Sequence, residues 1–343
     1  MDDRKRMVLS AIVNDYIATA EPVGSRTIVR KYKLGVSPAT VRNEMADLEE
    51  LGYVQQPHTS AGRIPSDRGY RYYVDYLMQQ RELTGEEAAL ICKEYESKVK
   101  DIGQVIQRTG QLLSQLTQCA AMVLKPQSGM SAFKHIQLVP IFQSNAIVIV
   151  VMDTGTVHNR MIDLPESVTP ADLETVSSVL NAKLQGLTME KIKLVLIKEI
   201  YNELVGHRHF VDLAMELIQD SFSLKSEDKV YLGGVFNILN QPEFHNVEKV
   251  KTLLSLLEQE EQLCSLLAVK ENTGAVTVRI GGEINHKDIQ ECSMVTASYQ
   301  VGDRVVGSIG VLGPTRMEYA KVIGIIDFMR KSLSQALERV FQG

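Results

Sequence analysis

Arg42 and Asn43 stand side by side in the stretch GVSPATVRNEMADLEELGYV (35–54), with Ala39, Thr40 and Ala46 close by. Arginine and asparagine make paired hydrogen bonds to guanine and adenine edges, and small neighbours let a backbone come close. The chemistry open to this set is recognition rather than bond breaking. It requires one rigid element that presents these residues on a single exposed face.

The same stretch supplies that element. Ser37 is a good N-cap, because its hydroxyl can accept from the unpaired N–H groups of a first helical turn. Pro38 at the first helical position gives up no hydrogen bond. Val41, Met45 and Leu48 recur at i, i+4 and i+7 and mark an apolar face. Gly52 suits the left-handed position that ends a helix, and Tyr53-Val54 begins an extended segment. A helix of about four turns is expected. On its wheel Ala39, Arg42, Asn43 and Ala46 oppose the apolar stripe, with Thr40 flanking, while Asp47, Glu49 and Glu50 fall in the second half. A helix entering a DNA major groove by its N-terminus wants this order, with N–H groups toward phosphate and carboxylates held away. Taken alone, the pattern fits equally a core helix whose outer face is merely wet.

The flanking segments decide between the two. EPVGSRTIVRKYKLG reads as a short helix over about residues 25–32 with Ile28 and Val29 buried, followed by a tight turn. This is helix-turn-helix spacing, with the second helix as reader. Residues 4–19 form another helix, with Val8, Leu9, Ile12, Val13, Tyr16 and Ile17 on its apolar side. YVQQPHTSAGRIPS reads as two short strands around a loop, which completes a winged-helix plan. Thr40, Arg42, Asn43 and Ala39 are the expected base contacts. Ser25, Arg26, Ser37 and the wing residues His58, Arg63 and Arg68 are the expected phosphate contacts.

Composition and charge narrow the classes further. The chain has 343 residues, 44% hydrophobic and 23% charged, with a net charge of −5. Those values suit two or three globular domains. Residues 1–75 carry eleven basic and ten acidic residues, yet Pro22 to Asn43 holds five basic residues and no acid. The protein is not basic throughout, and this segment fits either a local basic surface facing a polyanion or a solvated helix face, which charge alone does not separate. The four cysteines are scattered without a CxxC pair, which fits reduced thiols in a cytoplasmic protein. No run of about 18 apolar residues or signal-peptide segment occurs, so no membrane partner is expected.

Three segments together resemble one known family. EPVGSRTI, SPATVRNEMADLEELGYVQQPHTSAGRIPSDRGYRYYVDYL and, near residue 310, GSIGVLGPTRMEY resemble the HrcA family of heat-inducible transcription repressors. The first two motifs cover most of residues 21–77. The resemblance implies an α+β protein: an N-terminal winged helix-turn-helix, a GAF-like α/β domain and an inserted, mainly helical dimerising domain. It also implies a homodimer on an inverted-repeat operator before chaperone operons, kept active by the GroEL chaperonin. The expected organisation is a DNA-binding domain at 1–80, a helical connector at 81–125, a GAF-like domain at 126–185 and 269–343, and a dimerisation domain at 186–268.

The rest of the chain is compatible with that plan. Thr84 and Glu87 form a capping-box signature. Tyr95, Val99, Ile102, Ile106, Thr109, Leu113, Leu116 and Ala120 alternate in 4,3 spacing. They describe either two core helices joined near Gly103 or a connector that pairs with its twin. AIVIVVMDTGTVHNRMI reads as a hairpin turning at Asp153-Thr154-Gly155, and residues 170–185 as an amphipathic helix. Mainly helical segments follow to about residue 268, interrupted by a short strand at 230–233. Strands return at 275–280, 293–300 and 304–313, before a long helix over 315–340.

Enzymatic signals are missing. GVLGP (310–314) lacks both the P-loop and the GxGxxG pattern. His207 and His209 diverge on a helix, and no GxSxG, HExxH or zinc-ligand spacing occurs. The adenylate loop of a biotin-ligase-type enzyme, which also joins a winged helix to a larger body, is absent. Neither catalytic residue, cofactor nor metal is expected. The competing function is a repressor gated by a small molecule held in the GAF-like domain.

Overall fold

The computed structural model describes residues 1–58, 61–79, 81–96, 102–126, 132–142, 145–153, 157–164, 168–188, 191, 194–204, 211–212, 215–216, 218, 230–244, 246–268, 275–302 and 304–342. The first unit begins with α1 (Asp3–Thr19), α2 (Ser25–Tyr32) and α3 (Pro38–Glu50). A small antiparallel pair follows, β1 (Val54–Gln55) and β2 (Ile64–Pro65), with Val23 joined to Arg63 by an isolated bridge. Val8, Leu9, Ile12 and Val13 of α1 close over Ile28, Val41, Met45, Leu48 and Val54, all fully or nearly fully buried. Each such side chain contributes about 1.5–3 kcal/mol, which suffices to hold three short helices that would not persist alone.

The chain then passes through α4 (Asp67–Tyr72) and one π-helical turn (Tyr73–Leu77) into the body. There α5 (Gly85–Glu96) starts on the expected capping box: Thr84 N–H donates to Glu87 Oε2 at 3.0 Å, and Glu87 N–H to Thr84 Oγ1 at 3.2 Å. A second helix, α6 (Ile102–Thr117), leads into β3 (Ala120–Leu124). After β3 come the strands β4 (Phe133–Phe142), β5 (Asn145–Met152) and β6 (Val157–Asp163), then α7 (Pro170–Leu184) and α8 (Leu194–Glu203). The chain returns through β7 (Val230–Gly233), α9 (Phe236–Leu239), α10 (Val247–Leu257) and α11 (Glu260–Leu267). It ends in β8 (Thr277–Ile280), β9 (Cys292–Val301), β10 (Arg304–Pro314) and the long α12 (Tyr319–Gln342).

Among the described residues of the body, the strands form two separate sheets. The larger is antiparallel in the order β7-β3-β10-β9-β8. Its strands alternate with period two between two helical layers. Ala121, Val123, Val295, Ala297, Ile309 and Val311 share one core with α6 and α12. Ala120, Met122, Met294 and Leu312 share another with α10 and α11. The smaller sheet, β4-β5-β6, has its own core, where Phe133, Ile136, Val148 and Val150 meet Val176, Leu180, Ile200 and Ile218.

The fold is α+β, as expected, and its elements are shared out between the sheets as follows. Residues 126–163, expected in the same GAF-like unit as 269–343, instead supply the separate small sheet. The helices α10 and α11, expected within a dimerisation domain at 186–268, cover the large sheet. The small sheet, α7 and α8 lie in the chain between β3 and β7. The expected connector at 81–125 also ends in a central strand, Ala120–Leu124. Strand periodicity reveals which side chains are buried, whereas the sheet a strand joins is set by long-range pairing. The turn expected at Asp153-Thr154-Gly155 and the histidines His207 and His209 fall wholly or partly outside the described residues.

Candidate nucleic-acid interface

The reader helix forms as its sequence requires. Ser37 is the N-cap and its Oγ accepts from the Thr40 N–H at 3.1 Å, while Pro38 occupies the first turn. The Ser37 and Thr40 hydroxyls also meet at 3.0 Å. Val41, Met45 and Leu48 are buried, and Ala39, Arg42, Asn43 and Ala46 are exposed with Thr40 half-buried beside them. The structure thus brings the four expected base-contacting residues onto one outward face at the leading end of α3. Gly52 lies in the left-handed region at φ 76° and ends the helix run.

One residue on the buried side escaped the sequence reading. Glu44 lies among the apolar positions, where Lys5 meets it at 3.0 Å and Arg4 at 3.7 Å. Lys5 also reaches Asp47 at 3.0 Å. Its hydrogen bonds to Asp47 and Glu44 raise the Lys5 ammonium pKa well above the usual lysine range. Two carboxylates of α3 are thereby neutralised from α1, which removes charge that would repel a polyanion. A carboxylate at i+3 from Val41 on an apolar stripe was the signal for a buried partner.

The remaining expected contacts divide into two sets. Arg26, Ser37 and His58 are exposed. Arg30 and Lys33 are exposed on the same helix-turn segment and extend the basic surface. Ser25, Arg63 and Arg68 form the second: the two arginines have partners within the protein, and Arg68 is exposed as well. Ser25 is buried at the start of α2. Arg63 pairs with Glu49 at 2.7 Å and ties the wing to the end of the reader helix. Arg68 donates to the Leu51 carbonyl at 2.9 Å and its guanidinium lies 4.7 Å from the Tyr53 ring centre. In sequence an arginine reads alike whether it meets a phosphate, a carboxylate or a helix-end carbonyl.

The wing is held just as tightly by backbone. Arg63 and Val23 exchange two backbone hydrogen bonds at 2.9 Å. Gly62 passes so near this bridge that a Cβ would stand 2.4 Å from the Val23 carbonyl oxygen. Because the obstacle is backbone, Gly62→Ala should displace the wing and cost about 1–3 kcal/mol. Thermal unfolding with a parallel DNA titration checks this, and unchanged values in both would refute the packing argument.

An exposed, capped helix of this composition, paired behind with Lys5 and flanked by a two-stranded hairpin, is a winged-helix arrangement. Among the described residues, no three His, Cys, Asp or Glu side chains converge as a metal site, and no helix is long and apolar enough to cross a membrane. Residues 103–323 match the model of the HrcA protein C-terminal domain. Heat-inducible transcription repressors HrcA from Pelotomaculum thermopropionicum and Desulforamulus reducens are 70% and 60% identical. Each similarity spans 343 residues, covering 100% of this chain and 99% of the relative. A crystal structure of a hypothetical protein aligns over 99% of both chains with a TM-score of 0.67 and 26% identity. The chain belongs to the HrcA family of transcription repressors, whose members are not enzymes.

Proposed function

We propose that this protein represses heat-shock chaperone operons by binding an inverted-repeat operator as a homodimer, with one α3 in each half-site. The observation that carries the reading is the leading face of α3. Ala39, Thr40, Arg42 and Asn43 would read base edges, while Arg26, Ser37 and His58 would hold the backbone. Two readers on one face of the duplex occupy successive major grooves, which accounts for the need for two copies.

The open face of the small sheet is the surface proposed for pairing. Its other face is buried against α7 and α8, whereas Ile141, Val157 and Met161 are 42%, 54% and 59% exposed. In register, Met161, Ile147 and Val139 form one row across the sheet, and Val157 pairs with Val151 in another. An apolar patch of this kind on a sheet face is the usual mark of an interaction site.

Control by the GroEL chaperonin follows from the family resemblance. Exposed apolar side chains such as Phe236 and Val247, 79% and 66% exposed, suit capture by a chaperonin. A mobility shift on a chaperone-operon promoter, with and without chaperonin, tests the reading. Specific retention that rises when chaperonin is supplied is expected. Retention equal on random duplex would remove the operator, and retention indifferent to chaperonin would remove that part of the control.

One observation favours gating by a small molecule instead. A cavity of about 670 Å³ is lined by Met78, Arg81, Leu83, Val276 and the α12 residues Ile323 and Phe328. A thermal-shift scan with metabolites that raised the midpoint strongly for one compound would establish that alternative.

A further inference from the structure

The reader unit is fastened to the body rather than hung from a linker. Arg71 of α4 donates from Nε to Glu283 Oε1 at 2.8 Å and from Nη2 to Glu283 Oε2, making a two-pronged pair. The same Nη2 donates to the Val278 carbonyl at 2.6 Å, at the edge strand β8. Asp67, in the first turn of α4, accepts the Gly282 N–H at 3.0 Å. Gly281 beside it sits at φ 53°, and a Cβ there would fall 2.1 Å from Asp67 Oδ2. Only a glycine lets the carboxylate reach its partner. A second fastening joins the end of α1: Arg316 donates to the Ile17 carbonyl at 3.3 Å and to Gln241 at 2.8 Å, and pairs with Glu243. Tyr70 and Tyr319 pack between the two at 6.0 Å.

None of these groups lies on the leading face of α3, so none is placed to read a base. Their common effect is to fix the angle between α3 and the body. A planar guanidinium held at two oxygens and a carbonyl resists rotation far better than a single hydrogen bond. In a dimer paired through the body, that angle sets the separation of the two readers.

We propose that Asp67, Arg71 and Glu283 are positioning residues that fix the orientation of the reader unit and thereby confine the dimer to inverted repeats of one spacer length. This rests on the operator reading above. Lengthening or shortening a spacer by two base pairs moves a half-site by about 7 Å and turns it by roughly 70°. A rigidly held pair of readers cannot follow that displacement, whereas a loosened pair can.

The test uses the full-length chain as wild type, Asp67→Asn with Glu283→Gln, and Arg71→Ala, each first checked for a cooperative thermal transition. Binding is measured on inverted repeats whose spacers differ by two base pairs either way, and on a duplex with one half-site. Wild type should favour one spacer by about tenfold or more, and the variants should bind all spacers within about threefold of one another. Single half-site binding should be equal in all three. A general loss of stability would lower every affinity together and leave the spacer profile intact.

A second measurement needs no DNA. One spin label per protomer is attached at Glu21→Cys in a background with Cys92→Ser and Cys264→Ser, the two thiols that are not buried. The distance between labels in the dimer should be narrowly distributed in wild type and broad in the variants. Variants that keep the wild-type spacer profile, or the narrow distance, would overturn the proposal. A wild type without preference for any inverted repeat would instead remove the operator reading, and the proposal with it.

Discussion

Replacing Arg42 by Ala should weaken operator binding by about 1–3 kcal/mol and relax the preference at one base pair in each half-site. Arg42 is exposed on the first half of α3, two residues beyond the hydroxyl pair of Ser37 and Thr40 that caps it. Its neighbours Ala39 and Ala46 leave the helix slim enough for close approach. Arg42→Lys should keep the charge and lose the planar fork, so non-specific binding returns while base preference does not. Arg26→Ala gives a contrasting expectation. It should weaken binding evenly across sequences and reduce the salt slope by about one unit for each phosphate no longer neutralised. Anisotropy titrations on the operator and on single-substituted operators separate these outcomes. An Arg42→Ala protein with the wild-type profile would withdraw that residue from the reading set.

A larger effect is expected from the small sheet. Val157→Asp with Met161→Asp places two carboxylates on its open face, at positions already more than half exposed, so the fold itself should lose little. Pairing would then require burying unpaired charge, at a cost of several kcal/mol. The protein should sediment as a monomer and lose about 10²–10⁴-fold in affinity for the full operator, because the second half-site is no longer reached intramolecularly. Affinity for a single half-site should stay as in wild type. A double variant that still sediments as a dimer would move the pairing surface elsewhere.

Much of the reader was legible because its signals are local. Ser37, Pro38 and the Val41-Met45-Leu48 stripe specify one capped amphipathic helix within a dozen residues, and the Thr84 and Glu87 capping box is equally local. The bridge that ties Val23 to Arg63 beside the wing was not legible, since a single bridge between distant positions leaves no pattern. The same limit hid the division of strands between two sheets. β4, β5 and β6 read as strands, yet nothing in their alternation says that β3 would pair with β7 and β10 instead. Charged side chains were the least legible of all. Arg63, Arg68 and Arg71 sit close together in sequence, and their partners are a carboxylate, a helix-end carbonyl and the distant carboxylate of Glu283.

The most direct measurement is methylation protection of guanine N7, an atom that lies in the major groove. With wild-type protein on a chaperone-operon inverted repeat, guanines should be shielded at symmetry-related positions in both half-sites, and Arg42→Ala should expose one of them in each half. Unshielded guanines under saturating specific binding, or a pattern indifferent to Arg42, would contradict the placement of α3 in the groove.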